Sequence, residues 1–283
     1  SIADPTAHFN TLLYTGTGAT NARTGLGFQP DFTWIKRRNG TTQHMLFDSI
    51  RLAPQYLVSD ATDAEATDAN QLESFDSDGF TVGSGSSTNG TSATFVGWNW
   101  KAGGTAVSNT DGTITGGSSV SANTTAGFSI VGYTGDDSSS ATVGHGLSQT
   151  PEMIILKKRS GTAQWPVGSE GGGIDWNDYL ALDKSNNSGN YPYWNDTAPN
   201  SSVFSIGTDD DVNELDGTYI AYCFHSVEGY SKVGSYVGNG NADGTFIYTG
   251  FRPAFILLKN MDTGTTDWML EDNKRLGYNV DNN

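Results

Sequence analysis

The sequence repeats itself, and a repeated sequence restricts the fold to units that can be built more than once and stacked on their neighbours. "YTGTG" at Tyr14, "YTGDD" at Tyr133 and "YVGNG" at Tyr236 each precede, by roughly 16 to 18 residues, a proline that opens an apolar run ending in lysine. The prolines are Pro30, Pro151 and Pro253, and the runs read "PDFTWIK", "PEMIILK" and "PAFILLK". "DSIRL" at Asp48 returns as "DNKRL" at Asp272, and "QYLVSD" around Tyr56 resembles "DYLALD" around Tyr179. "GFTVGS" at Phe80 matches "VFSIGT" at Phe204, while "TFVGWNW" ending at Trp100 matches "TYIAYCF" ending at Phe224. The first two units are offset by about 121 to 124 residues over nearly their whole length, with markers in the same order. A third unit starts near Gly229 and shows no counterpart of the strands from Phe80 to Trp100. A longer polypeptide or another element is expected to complete it.

Within a unit the pattern is that of β-strands. The 36 glycines, with abundant Ser, Thr and Asn and more Asp than Glu, favour turns and strands, because Asp and Asn compete with helical hydrogen bonds. The proline-led runs are apolar on both faces, as in central, doubly covered strands, with proline at the first residue where a ladder tolerates it. Unit one is read as strands at 9–15, 23–28, 31–37, 44–49, 55–59, 79–83 and 93–101, a spacing that suits a sandwich or jelly roll. "DATDAEATDANQLESF" has no apolar stripe and is read as a loop with at most a helical turn. "TAVSNTDGTIT" alternates around Asp111-Gly112 and is read as an ordered hairpin rather than a flexible linker. The expected organisation is all-β: sandwich repeats at 1–104 and 126–228, a hairpin or linker at 105–125, and a partial repeat at 229–283. The repeated frame predicts that Phe32, Trp34, Ile154, Leu156, Phe255 and Leu257 are buried.

Chemistry-bearing motifs are sparse. A net charge of -16 argues against a phosphate-binding surface, so nucleic acid is not an expected partner. No run approaches the roughly 18 to 20 apolar residues of a membrane helix, and neither membrane insertion nor a signal peptide at Ser1 is expected. Cys223 lies in an apolar run and reads as packing. There is no Walker motif, no His-Glu-x-x-His and only a broken Gly-x-Ser-x-Gly. The four histidines, His8, His44, His145 and His225, have unlike surroundings and read as turn or core residues. No catalytic residue, metal site or cofactor is expected. "DSDG" at Asp76, "GDD" at Asp136 and "DDD" at Asp209 offer calcium-type oxygens without the spacing of an EF-hand loop. The basic run ends at Lys36, Arg37 and Arg38, at Lys157, Lys158 and Arg159, and at Lys259 are expected to meet acidic loops of their own or neighbouring units.

The ordered set "YTGTG … GFQPDFTWIKRR … HMLFDSIR … FDSDGFTVG … FVGWNWKAGGTAVSNTDGTI … AGFSIVGYTG … PEMIILKKR … YIAYCFHSVEGYSKVGSYVGNG … GFRPAFILLK" resembles repeat domains of virion structural and tail-fibre proteins of marine tailed phages, including cyanophages. The resemblance runs over essentially the whole chain. It implies lectin-like or jelly-roll sandwiches in a virion appendage on an extracellular surface, non-enzymatic, in contact with other virion proteins and with itself as a homo-oligomer, by the habit of such fibres a trimer. The alternatives are a polysaccharide depolymerase and a cellular surface adhesin.

Recognition, if this chain performs it, is expected where unit two departs from unit one, between Trp165 and Pro199. There Trp176, Tyr191, Tyr193 and Trp194 offer flat faces to the sugar rings of host-surface glycans, and Asp175, Asn177, Asn195 and Asp196 offer partners to their hydroxyls. The competing reading folds these rings inward as a small cluster, with nearby carboxylates satisfying the indole N–H groups.

Overall fold

The computed structural model describes residues 2–170 and 174–275. Unit one contains β1 (Phe9–Thr15), β2 (Asn21–Thr24), β3 (Phe32–Arg37), β4 (Met45–Asp48), β5 (Gln55–Val58), β6 (Ala66–Thr67), β7 (Leu72–Asp76) and β8 (Gly79–Val82), a single helical turn α1 (Ser86–Asn89), and β9 (Thr94–Trp100). A large antiparallel sheet runs in the order β1-β9-β3-β4-β5-β6, and a small one in the order β2-β8-β7. Unit two contains β10 (Val107–Ser108), β11 (Ser119–Asn123), β12 (Phe128–Thr134), β13 (Thr142–Gly144), β14 (Met153–Lys158), β15 (Pro166–Ser169), β16 (Asp178–Ala181), β17 (Gly189–Asn190), β18 (Val203–Ser205), the turn α2 (Asp210–Asn213), and β19 (Thr218–Phe224). Its sheets run β10-β11-β12-β19-β14-β15-β16-β17 and β13-β18. Without β10 and β11, the large sheet has the strand order of unit one. Register agrees too: Phe32 faces Trp100 across β3 and β9, and Met153 faces Phe224 across β14 and β19. The third unit contributes a hairpin of β20 (Phe255–Leu258) and β21 (Met269–Asp272), in which Phe255 faces Asp272 as Phe32 faces Asp48.

The repeated "YTG" explains one local part of this fold. The buried Tyr14 hydroxyl donates to the Thr88 carbonyl of α1 at 2.6 Å, and Tyr133 donates to Val212 of α2 at 2.7 Å. The glycine two residues on permits the close approach. A Cβ on Gly16 would stand 2.2 Å from the Gly90 carbonyl oxygen, and one on Gly135 would stand 2.4 Å from that of Glu214.

The fold is an all-β sandwich in which the large sheets are covered on both faces. Between the large and small sheets of unit one lie Ile35, Phe47, Leu72, Phe80 and Phe95. The matching layer of unit two holds Ile154, Leu156, Phe204, Tyr219 and Cys223. The opposite faces of both large sheets meet in a core shared between units, with Trp34, Trp98 and Trp100 against Ile155, Trp165, Ile220 and Tyr222, and with Phe255, Trp268 and Leu270 of the third unit packed beside them. Strands apolar on both sides are what such a two-sided covering requires.

Several sequence expectations change here. The strand expected at 23–28 stops at Thr24, because Gly25 and Gly27 take left-handed φ angles of 96° and 82°. The alanine-containing loop carries β6 and β7, which gain their hydrogen bonds from β5 and β8 rather than from any apolar pattern of their own. The 105–125 segment is ordered, but its turn is not tight at Asp111-Gly112: β10 and β11 pair across a longer loop, and Gly112 bridges to Val143 instead. Ile154 and Leu156 are buried as expected; they face their own small sheet, and register makes Ile155, one residue along, the counterpart of Trp34, since a shift of one residue exchanges faces. Phe32 and Trp34 are buried, whereas Phe255 and Leu257 are only half-buried.

Contacts between the units recur at equivalent positions. In unit one, Arg51 Nε donates to Asp48 Oδ2 at 2.5 Å and its Nη2 to the Leu46 carbonyl, and this fully buried pair receives the Tyr222 hydroxyl of unit two on Asp48 Oδ2 at 2.8 Å. In unit three, Arg275 and Asp272 form the same pair with the Leu270 carbonyl, and receive the Trp98 indole N–H of unit one at 3.1 Å. Trp98 and Tyr222 occupy the same place in β9 and β19. A second contact runs in the same sense: Trp165 of unit two donates to the Val58 carbonyl of unit one at 2.9 Å, and Trp268 of unit three donates to the Ala181 carbonyl of unit two at 2.8 Å. The lysines that end the apolar runs make a third. Lys157 donates to Ala163 in its own hairpin loop and to Thr62 of unit one, and Lys259 donates to Thr266 in its own loop and to Lys184 of unit two. Lys36 holds the Thr42 carbonyl of its own loop. The basic run ends are thus loop clamps, and two also form ion pairs with acidic residues: Arg159 with Glu65 at 2.9 Å and Lys158 with Glu214 at 2.6 Å. Each rule runs in one sense, from unit two to one, three to two or one to three, so the contacts link the three units in a ring.

Candidate functional site

The residues singled out between Trp165 and Pro199 gather at one end of unit two, around β16, β17 and a 3-10 turn over Pro192–Trp194. Three of the four rings turn inward. Trp176, Tyr193 and Trp194 are 3%, 2% and 0% exposed and join the inner layer of unit two, with the two indoles edge to face at 5.5 Å. They have no face to offer a sugar, because the turn carries them beneath the loop and onto β15. There Gly168 makes the room: a Cβ would meet Trp176 at 2.4 Å and Trp194 at 2.6 Å. The expected carboxylate partners do not reach the indole N–H groups, and neither makes a hydrogen bond.

Tyr191 stays at the surface, 40% exposed. Its hydroxyl donates to Asp209 Oδ2 at 2.6 Å, and two residues on Tyr193 donates to Asp211 Oδ2 at 2.9 Å, so two parallel phenol–carboxylate pairs fasten the 3-10 turn to the start of α2. The hydrogen bond to Asp209 raises the Tyr191 phenol above its ordinary value, and burial does the same to the Asp211 carboxyl. Tyr191, Pro192, Asn195, Thr208, Asp209 and Ser139 line an open groove of about 310 Å³. Asn195 is left-handed (φ 52°), with its amide on the Ser139 carbonyl at 3.3 Å. Asp175 caps its own turn by accepting from the Asn177 backbone at 2.8 Å, and Asn177 touches the site only through its carbonyl, which accepts from Tyr191 N. Asp196 is exposed beside Asn195 and does not line the groove. The structure therefore brings together Tyr191 and Asn195 from the expected set and adds Thr208, Asp209 and Ser139. The spacing of two tyrosines at i and i+2 and two aspartates at i and i+2 was a usable signal for the second pair.

Outside the groove, several ionisable side chains are held in internal contacts. Lys157 is buried, and loss of solvent lowers its ammonium to about 8. Burial pushes the Cys223 thiol up to about 12. His44 Nδ1 accepts from the Trp34 indole at 2.9 Å, and burial lowers its imidazole to about 4. The buried His145 takes the Leu147 backbone N–H on Nδ1 and meets the Asn200 carbonyl through Nε2. Asp31 accepts from Ala102 and Gly104 N–H and pins the exit of β9. The calcium-type acids also cap loops: Asp78 binds the amides of Gly25 and Gly27, Asp76 the hydroxyls of Ser74 and Thr81, and Asp209 the amide of Asp211. Among the described residues no three metal-ligating groups converge, and no helix is long and apolar enough to cross a membrane.

Compared with known proteins, residues 4–283 match one family, described as a domain of unknown function (DUF7483). No curated protein and no solved structure matches the chain.

Proposed function

The chain belongs to the DUF7483 family, and we propose that it is a non-enzymatic structural and adhesive module of an extracellular appendage, a virion tail fibre or surface protein, that holds host-surface glycans at the Tyr191 groove. The observation that carries the reading is how the buried ionisable groups are used: Asp48, Arg51, Tyr222 and Lys157 each bind another unit or the backbone. Buried charge spent on joining units makes a stiff body of fixed shape, as a fibre segment needs. The groove adds an exposed aromatic face beside carboxylate, hydroxyl and amide groups, the combination that recognises a sugar's apolar face and its hydroxyl rim. The module partners other appendage proteins and further copies of itself, as a homotrimer.

The test is adsorption to host cells or purified surface polysaccharide, measured with melting temperature. Tyr191→Ala is expected to weaken adsorption at least about tenfold with little change in melting temperature, since an exposed ring contributes little to folding. Trp176→Ala is expected to lower the melting temperature through loss of a buried ring. Unchanged adsorption by Tyr191→Ala removes the groove from the reading. Release of reducing ends, abolished by Asp209→Asn, would replace adhesion with depolymerisation. Sedimentation as a monodisperse monomer, stable to dilution, would remove the homotrimer.

A further inference from the structure

The exits of β9 and β19 are one joint built twice, and a single pair of residues sets the two apart. In unit two the strand leaves through His225, whose backbone N–H donates to the Gly127 carbonyl at 2.9 Å; in unit one it leaves through Lys101, whose backbone N–H donates to the His8 carbonyl at 2.9 Å. Both exits are capped by the acid that follows the repeated proline: Glu152 accepts from the Ser226 N–H, and Asp31 Oδ2 accepts from the Ala102 N–H at 2.8 Å and the Gly104 N–H at 3.2 Å. His225 is 3% exposed and its ring closes over Gly127, where a Cβ would stand 2.8 Å from Cε1. Lys101 is exposed and His8, at the place of Gly127, is half-buried. The first joint therefore stays open as a cleft of about 570 Å³ between the β9 exit and β11, a size in the range of small-molecule sites.

The groups in this cleft divide into occupied and open ones. Asp31 Oδ2 holds the two backbone amides, and the Asn123 amide donates to His8 Nδ1 at 2.9 Å and to the Lys101 carbonyl at 3.0 Å. Burial, helped by the nearby Lys101 charge, lowers the His8 imidazole, which with Nδ1 accepting keeps its proton on Nε2. Lys101 itself is different from the lysines of the three apolar runs, which hold loop carbonyls. No ion pair of the described residues includes it. Gln29, Thr105 and Thr124 add an amide and two hydroxyls to the lining, and no Phe, Tyr or Trp ring is present to stack on a sugar face.

We propose that this cleft binds a small, hydroxyl-rich carboxylate of the uronate class, with the carboxylate on the Lys101 ammonium and the hydroxyls on Gln29, Thr105 and Thr124. In a chain of net charge -16 an acidic ligand is disfavoured by the overall field, so it needs a local cation that faces a cleft and is not already neutralised. A carboxylate on an ammonium makes a charge-assisted hydrogen bond, about twice as strong as a neutral one. The site stands apart from the Tyr191 groove, which offers Asp209 and no cation, so the two readings succeed or fail separately.

The experiment titrates the intact protein at low ionic strength with sodium glucuronate, and in parallel with glucose and with sodium acetate, following backbone amide NMR shifts. Saturable glucuronate binding is expected, with shifts centred on residues 101–105 and 122–124, and both glucose and acetate are expected to bind at least about tenfold more weakly. Lys101→Met is expected to weaken glucuronate at least about tenfold at an unchanged melting temperature, since the side chain is exposed, while Lys101→Arg retains binding and Tyr191→Ala leaves it as it is. Absence of saturable binding, unchanged binding by Lys101→Met, or shifts confined to the Tyr191 groove overturns the proposal. Glucose binding as tightly as glucuronate overturns it by removing the carboxylate, and acetate binding as tightly overturns it by leaving an adventitious ion only.

Discussion

The hairpins β3–β4 and β20–β21 are close copies in register, in the lysine clamp and in the Asp–Arg pair, yet they live in different surroundings. Trp34 is 5% exposed, whereas its counterpart Leu257 is only half-buried; the Arg51 side chain is fully buried, whereas that of Arg275 is 25% exposed. The copied residues fix the local hairpin and the inter-unit pairing. Burial comes from the neighbouring central strand, which the first hairpin has in β9. Motif and environment are thereby separated within one chain.

The contrast breaks most sharply at the apolar face. Trp34→Asp is expected to cost about 4 kcal/mol or more, since an unpaired charge enters the shared core, and Leu257→Asp about 1–2 kcal/mol, because water already reaches that position. Chemical denaturation of both variants measures the gap; equal costs would show that the hairpins are equally enclosed.

The Asp–Arg pairs sharpen it further. Arg51→Met leaves Asp48 buried with only the Tyr222 hydroxyl and backbone amides, and a loss of about 3–5 kcal/mol is expected. Arg275→Met leaves the buried Asp272 carboxylate with the Trp98 indole and two backbone amides, and because the guanidinium is partly open to solvent a smaller loss of about 1–2 kcal/mol is expected.

A smaller effect distinguishes unit one from the others by pH. His44 occupies the place held by Trp165 and Trp268. Its folded value, lowered from 6.5 to about 4 by burial, lies below its unfolded one, so its contribution is complete above 6.5 and is lost as pH falls through 4. His44→Gln is expected to remove about 1–2 kcal/mol of the stability change between those limits, read as the difference between wild-type and variant unfolding curves.

Much of this was legible in the sequence where side chains carry their own pattern. β1 was bounded correctly, and β3 and β9 to within a residue, because apolar residues on both faces bounded by Pro, Gly and Asn turns leave little freedom. β6 and β7 were not legible, since their order comes from partners across the sheet. That Ile154 and Leu156 are buried was legible; which layer each enters was not, because a run apolar on both sides gives no sign of which side is which. At the groove, Tyr191 and Asn195 could be named from a divergent loop rich in aromatics and amides. That Trp176, Tyr193 and Trp194 pack inward depends on the space over Gly168, a fact of three-dimensional packing.

The units share one core and do not stand as separate beads, and hydrogen exchange across a denaturant series tests this directly. If Trp34, Trp98 and Trp165 belong to one core, the amides of β3 and β9 and those of β14 and β19 lose protection together, at one denaturant concentration and with one slope. Loss of protection in one pair while the other stays fully protected would contradict it.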